Sequence, residues 1–176
     1  MRYIILSVLL LSISGCATAP RVVTKAPALP IPTTTRSVSY QSAKSSVQWN
    51  ANEKFIWPVN GTVISTFGIQ VDKLKNKGID IKAEDGGRVL ASKSGRVVFC
   101  DDQLKGFGKT VILDHGGNYQ TVYAYNSDIL VNVGDFVSQK AVIALTGKTG
   151  RAKEPCLHFE IRKDGEPQNP FHYLSH

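Results

Sequence analysis

The feature that most constrains this chain is the placement of its glycines. Fourteen of the fifteen lie after residue 60, and they punctuate short runs rich in β-branched and aromatic side chains. Seven such runs read as strands: Gly61–Phe67, Arg88–Ala91, Arg96–Cys100, Thr110–Leu113, Tyr119–Tyr125, Ala141–Leu145 and Leu157–Ile161. Between them, Asp85-Gly86-Gly87, Lys93-Ser94-Gly95, His115-Gly116-Gly117 and Asp164-Gly165 are turn signals. No window sustains a helical period with caps. The spacing therefore predicts an all-β domain, and its short connections favour antiparallel pairing.

Side chains alternate across a strand, which gives two of these runs readable faces. In Cys156–Arg162, the residues Leu157, Phe159 and Ile161 are expected in the core, and Cys156, His158, Glu160 and Arg162 on a polar groove. In Tyr119–Tyr125, Val122 and Ala124 are expected to face inward, with Thr121, Tyr123 and Tyr125 outward. The expected core is Val97, Phe99, Ile112, Leu113, Val122, Ile143, Leu157, Phe159 and Ile161. His115, His172 and His176 lack ligand spacing and read as surface residues. Cys100 and Cys156 read as separate thiols.

The chain begins differently. Arg2 precedes an apolar run, Tyr3–Ile13, interrupted only by serine and too short to span ~30 Å of hydrocarbon as a helix. It reads as a secretory signal over residues 1–15. The run ends in Ile13-Ser14-Gly15-Cys16, which resembles a bacterial lipobox, so Cys16 is the expected lipidation site. Ala17 follows instead of aspartate. By resemblance to lipoprotein sorting in Gram-negative bacteria, this implies the periplasmic face of the outer membrane. Residues 16–50 are rich in proline, serine and threonine, too polar to bury a core, and are expected to form a flexible linker. Fully extended at ~3.3 Å per residue, this linker would reach on the order of 100 Å. A folded domain is expected over residues 51–176.

Charge agrees with that division. The net charge is +7, but the linker carries Arg21, Lys25, Arg36 and Lys44 with no acid. From Ala51 onward, sixteen basic residues stand against fourteen acidic ones, leaving +2. The excess lies in an extended arm, whereas a nucleic-acid-binding domain gathers its charge on one face. No nucleic-acid partner is expected; a tether beside an anionic membrane suits the arm better.

From Phe55 to Leu174 the chain resembles the LytM-type, M23-family peptidase domain. The matching stretches are Trp57-Pro58-Val59-Asn60-Gly61, Asn76-Lys77-Gly78-Ile79-Asp80, Gly95-Arg96-Val97-Val98-Phe99, Gly106-Phe107-Gly108, Tyr123-Ala124-Tyr125-Asn126, Val133-Gly134-Asp135, Leu157–Ile161 and Asn169-Pro170. The resemblance implies an antiparallel β-sandwich with a groove across one sheet. Active members hold one zinc ion and cut peptides in bacterial peptidoglycan. Their pattern is His-x-x-x-Asp, then Tyr-Ala-His, then His-x-His, with zinc on the first His, the Asp and the last His. Here those positions are Asn76, Asp80 and His158. The two supporting histidines are replaced by Tyr125 and Cys156.

An amide is a poor zinc ligand, and a catalytic zinc site normally has three protein ligands. A phenol with a pKa of ~10 is no base at neutral pH. The resemblance thus implies a degenerate domain with no catalytic residue, no metal and no cofactor. It leaves a groove of Asn76, Lys77, Asp80, Tyr123, Tyr125, Arg151, Cys156 and His158 for partner binding. Within the family the pattern is similar to the NlpD-type lipoproteins, which activate periplasmic N-acetylmuramoyl-L-alanine amidases that split peptidoglycan during cell separation. Those chains usually carry a LysM wall-binding module, and only the linker stands at its place here. Two other readings stay open. In one, a residual zinc metallo-endopeptidase uses Asp80 and His158 with Cys156 as thiolate. In the other, a passive lipoprotein holds stem peptides of the wall.

Overall fold

The computed structural model describes residues 52–71 and 74–175. The expected signal, the lipidation site Cys16 and the linker lie outside the described residues. The strands run in the order β1 (Thr62–Ser65), β2 (Gln70–Val71), β3 (Leu74–Lys75), β4 (Ile79–Lys82), β5 (Arg88–Leu90), β6 (Gly95–Asp101), β7 (Lys109–Asp114), β8 (Tyr119–Asn126), β9 (Asp128–Ile129), β10 (Phe136–Val137), β11 (Val142–Leu145), β12 (Cys156–Lys163) and β13 (Glu166–Gln168). A 3-10 turn, Pro170–His172, follows, capped by the Asn169 side chain accepting from the Phe171 N–H.

An eight-stranded sheet follows the path β1-β4-β12-β8-β7-β6-β10, with β13 paired to β12. A three-stranded sheet, β5-β11-β9, and the β2-β3 pair complete the fold. The pairing between named strands is antiparallel throughout. The core joins one face of the large sheet, through Ile79, Ile81, Val97, Val111, Leu113, Leu157, Phe159 and Ile161, to Val89, Ile143 and Ala144 of the small one. The expected all-β sandwich is what forms. All seven expected strands are present; β4, which carries Asp80, is among those the spacing alone did not flag. Its alternation Ile79-Asp80-Ile81-Lys82 buries both isoleucines completely and was a legible signal diluted by two charges.

Three core expectations need correction. A bulge sets Val97 opposite Leu113 and Phe99 opposite Ile112, leaving one extra residue on β6. It moves Phe99 off the core face, as bulges do. Ile112 sits between Val111 and Leu113, both fully buried in the core, so alternation turns it the other way. Val122 pairs with Ile112 and with Glu160. It is buried, but on the opposite face, outside the main cluster.

His115 is also misread as a surface residue. It is 3% exposed, with Nδ1 2.9 Å from the Ser94 carbonyl and Nε2 2.7 Å from Thr121 Oγ1. Its ring meets Phe55 edge-on at 5.4 Å. Burial pushes its pKa down to about 4, against the hydrogen bond to Ser94. A glycine-flanked histidine looks solvent-facing in sequence; here the following turn folds it back under β8.

Candidate functional site

The groove begins with the register of two strands. β12 pairs with β4 so that His158 lies opposite Asp80, and with β8 so that His158 lies opposite Ala124. Because Leu157, Phe159 and Ile161 are drawn into the core, Cys156, His158 and Glu160 are driven to the other face. There they line a cleft of about 520 Å³.

The same pairing settles β8. Phe159 lies opposite Tyr123, and the two rings sit 5.4 Å apart. Tyr123 is therefore a core residue with no exposure, not a groove anchor. Its hydroxyl accepts from the Ser92 N–H at 2.8 Å and from Thr121 Oγ1 at 3.0 Å, and burial raises its pKa. The expected faces of β8 were inverted by one residue, which moves every side chain to the other side.

Strict alternation would then put Tyr125 in the main core as well. It is buried on the groove side instead, because Tyr125 has φ 70° at a break in the β7–β8 register, where Lys109 pairs with Asn126 but Val111 with Tyr123. The left-handed backbone costs on the order of 1–3 kcal/mol for a side chain of this size. It turns the ring into the groove, where Ala124, Tyr125 and Cys156 form a small apolar cluster with Phe107 and Ala152 packed against it.

Two loops close one side. Gly108 has φ 60°, and a Cβ on it would meet Gly150 N at 2.5 Å. Glycine thus lets the loop bearing Phe107 lie against the loop bearing Arg151. The Arg151 guanidinium lies 5.9 Å from the centre of the Phe107 ring. Lys77 is exposed on the rim. Of the expected groove residues, Asn76, Lys77, Asp80, Tyr125, Arg151, Cys156 and His158 are brought together. The wall opposite was not anticipated: Ile64, Ile69 and Leu74 line the groove with 45%, 50% and 53% of their surface exposed. Their sequence context is that of any short strand, so only the fold singles them out.

The floor is a row of charges. His158 Nδ1 is 2.6 Å from Asp80 Oδ1, and Nε2 is 3.0 Å from Glu160 Oε1. Arg162 donates from Nε to Glu160 Oε2 at 2.7 Å and reaches the same oxygen with Nη2 at 2.6 Å. Glu160 is completely buried; alternation along the strand points to its place on the groove face, but the family motifs give it no role. Burial opposes charge on His158, yet its hydrogen bonds with Asp80 and Glu160 lift its pKa above the ordinary value. Burial likewise favours a neutral Glu160, but His158 and Arg162 hold its pKa below the usual carboxylate value.

Asn76 completes the floor. Its Nδ2 donates to Ser65 Oγ at 2.9 Å and to Asp80 Oδ2 at 3.3 Å, and its Oδ1 accepts from the Gly78 N–H at 2.9 Å. A zinc ion needs converging lone pairs, and Asn76 offers Asp80 a donor instead. Both oxygens of Asp80 are engaged, one by His158 and one by Asn76. Burial, and then the Asp80 and Glu154 charges, push the Cys156 thiol up to about 11, so it is no thiolate at neutral pH. The Tyr125 phenol is pushed up to about 12 by burial and then by Asp80, with Arg151 opposing. Among the described residues no group of three or more His, Cys, Asp and Glu side chains is disposed to hold a metal. The residues present do not fit a zinc centre. Cys100 and Cys156 are both free thiols, one packed against the main core and one in the groove cluster.

Comparison with known proteins places this geometry. A family described as Peptidase family M23 matches residues 74–170. The murein hydrolase activator NlpD of Escherichia coli is 41% identical over 118 residues, covering 67% of this chain and 30% of that protein. The murein hydrolase activator EnvC of the same organism is 40% identical over 119 residues, covering 67% of this chain and 28% of that protein. The chain thus spans less than a third of the length of these two relatives. Among solved structures, a zinc-containing peptidase from Vibrio cholerae superposes with a TM-score of 0.62 at 27% identity, covering 66% of this chain and 39% of that one. The chain belongs to peptidase family M23, and its domain is of the NlpD type.

Proposed function

We propose that this protein is a non-catalytic lipoprotein of the outer membrane that binds and activates a periplasmic N-acetylmuramoyl-L-alanine amidase for peptidoglycan splitting. On this reading residues 1–15 are the signal, residues 16–50 the tether lipidated at Cys16, and residues 51–176 the partner-binding domain. The observation that carries it is the Asn76–Asp80–His158 arrangement: the groove is kept, but its acidic and imidazole groups are hydrogen-bonded to one another. The names of the relatives, two of them murein hydrolase activators, support the same direction.

A groove without a reacting centre can still bind. Its aliphatic wall of Ile64, Ile69 and Leu74 offers apolar area, and Lys77 and Arg151 on the rim favour an acidic segment. Asp80 and Glu160 are already matched by His158 and Arg162, and Glu154 by Lys82 at 2.6 Å. The cations of the rim are therefore not cancelled by the acids of the floor. Complementary charge steers encounter and fixes register, whereas buried apolar and aromatic contacts supply most of the affinity. Activation follows if the groove binds an open amidase more tightly than a self-inhibited one, since a ligand shifts an equilibrium only by its difference in affinity for the two states.

The test is a binding assay of the full-length protein against each periplasmic amidase of its source organism, with wild type, Lys77→Glu and Arg151→Glu. The reading expects one amidase to bind and both reversals to weaken it. Binding to purified peptidoglycan with no amidase bound would support a passive wall-binding protein instead.

A further inference from the structure

Tyr125 keeps a left-handed backbone, φ 70°, that its residue type disfavours. Such a conformation persists where its surroundings over-determine it, and here the restraint comes from behind the groove. Between the pairs Lys109–Asn126 and Val111–Tyr123, two steps along β7 are matched by three along β8, so β8 carries an extra residue as a bulge. Asn126, with no exposure, closes that bulge. Its Nδ2 donates to the Lys109 carbonyl and to the Tyr123 carbonyl, each at 2.9 Å. One bond ties the end of the bulge across to β7, and the other spans Tyr125 on its own strand. Both neighbours are acceptors, so the amide faces them with its NH2 group. Its Oδ1 is left buried with no hydrogen-bond partner among the described residues. An unpaired buried acceptor is unfavourable, so the favourable contacts of this amide are its two donor bonds.

Thr149 holds the bulge from the other side. Its Oγ1 donates to the Asn126 carbonyl at 2.8 Å and accepts from the Lys109 N–H at 3.2 Å. Its own N–H donates to the Tyr125 carbonyl at 3.3 Å, and the Tyr125 N–H donates to the Phe107 carbonyl at 2.9 Å. A Cβ on Gly108 would run into Thr149 Oγ1, so glycine gives the hydroxyl its room. Both backbone groups of Tyr125 and both ends of its bulge are thereby fixed. Two residues beyond Thr149, the Arg151 N–H donates to the Gly106 carbonyl at 3.1 Å, which sets this rim cation against the loop of Phe107. Neither Asn126 nor Thr149 lines the groove.

We propose that Asn126 and Thr149 are the positioning residues of the groove: their joined side chains hold the left-handed turn of Tyr125 and, one loop further, the presentation of Arg151 to a partner. That the partner is an amidase rests on the reading above; the positioning of Tyr125 does not.

Nuclear magnetic resonance of the full-length protein tests it. A residue with positive φ gives a strong nuclear Overhauser effect between its own amide and α protons, and that of Tyr125 is the readout. Thr149→Val keeps the shape and removes the hydroxyl, Thr149→Ser restores the hydroxyl, and Asn126→Asp turns the donor NH2 into an oxygen facing two carbonyls. If the buried Asn126→Asp does not fold, Thr149→Val, at a half-buried position, still decides. The Tyr125 effect is expected to be at least twofold weaker in Thr149→Val and Asn126→Asp and of wild-type strength in Thr149→Ser. Affinity for the amidase that binds wild type, measured by calorimetry, is expected to fall at least tenfold in Thr149→Val and to stay within twofold in Thr149→Ser. A Tyr125 effect of wild-type strength in Thr149→Val would overturn the proposal, whatever happens to the unfolding midpoint. So would amidase affinity within twofold of wild type in a Thr149→Val protein that has lost the effect. A wild type that binds no amidase would sink the amidase reading, and the Tyr125 effect would still decide the positioning.

Discussion

Replacing Glu160 with glutamine removes one charge from a completely buried position while keeping its shape. Arg162 loses its partner but is 27% exposed at its side chain and can turn to water, so its share is small. His158, 7% exposed at its side chain, cannot. It keeps Asp80 on Nδ1 and faces an uncharged amide on Nε2. Removing one partner of a buried pair costs about 3–5 kcal/mol when the other charge is left uncompensated. Here Asp80 compensates in part, so we expect ~2–4 kcal/mol. A domain of this size has a total stability of roughly 5–15 kcal/mol, and the midpoint of thermal unfolding should fall by roughly 10 °C.

The sign of the pH dependence follows from the two shifts. The raised pKa of His158 means its contribution is complete below the ordinary value of 6.5 and is lost as pH rises through the folded value. The lowered pKa of Glu160 means its contribution is complete above 4.5 and is lost as pH falls through the folded value. The difference between wild type and Glu160→Gln should therefore be greatest near pH 5–6 and shrink on either side. Urea unfolding at pH 4, 5.5 and 8 measures it. The exposed pair Lys82–Glu154, with side chains 58% and 45% exposed, is the internal control: Glu154→Gln should cost less than ~1 kcal/mol. A Glu160→Gln protein within ~0.5 kcal/mol of wild type at pH 5.5 would refute the reasoning.

Three further outcomes follow from the same geometry. His115, neutral in the fold with a pKa of about 4 against an ordinary 6.5, should cost the domain about 3 kcal/mol as pH falls from 6.5 to 4, because only the unfolded chain takes up the proton there; His115→Gln should flatten that part of a stability–pH curve. Tyr123→Phe removes a hydroxyl bonded to Ser92 and Thr121 and should lower stability by ~1–2 kcal/mol while leaving partner affinity within twofold, measured by chemical unfolding and by calorimetry. Leu74→Asp on the exposed apolar wall should do the reverse, weakening amidase binding at least tenfold with the unfolding midpoint little changed.

The strands and the residues of the groove were legible in the sequence because two separate signals carry them. Glycine-bounded apolar runs gave the strands, and family motifs gave Asn76, Asp80, Tyr125, Cys156 and His158. What alternation could not give was parity on β8. Thr121, Val122, Tyr123 and Ala124 are all buried, so no polar-apolar contrast marks a face; the pairing of Tyr123 with Phe159 decides it. Tyr125 reaches the groove through a left-handed backbone that no residue type announces. Glu160 was placed on the right face, but its partnership with His158 and Arg162 depends on side-chain distances across one strand. The exposed Ile64, Ile69 and Leu74 look like ordinary strand residues until the fold sets β1 and the β2–β3 hairpin beside the groove.

The central claim is that this domain works through an amidase and does not cut the wall itself. The most direct measurement is release of dye from labelled peptidoglycan by the purified protein alone, by each periplasmic amidase alone, and by the two together. The account predicts no release by the protein alone, little by the amidase alone, and strong release by one pairing, unchanged when a chelator-washed preparation of this protein is used. Release by the protein alone, abolished by Asp80→Ala with no amidase present, would contradict it and identify a working peptidase.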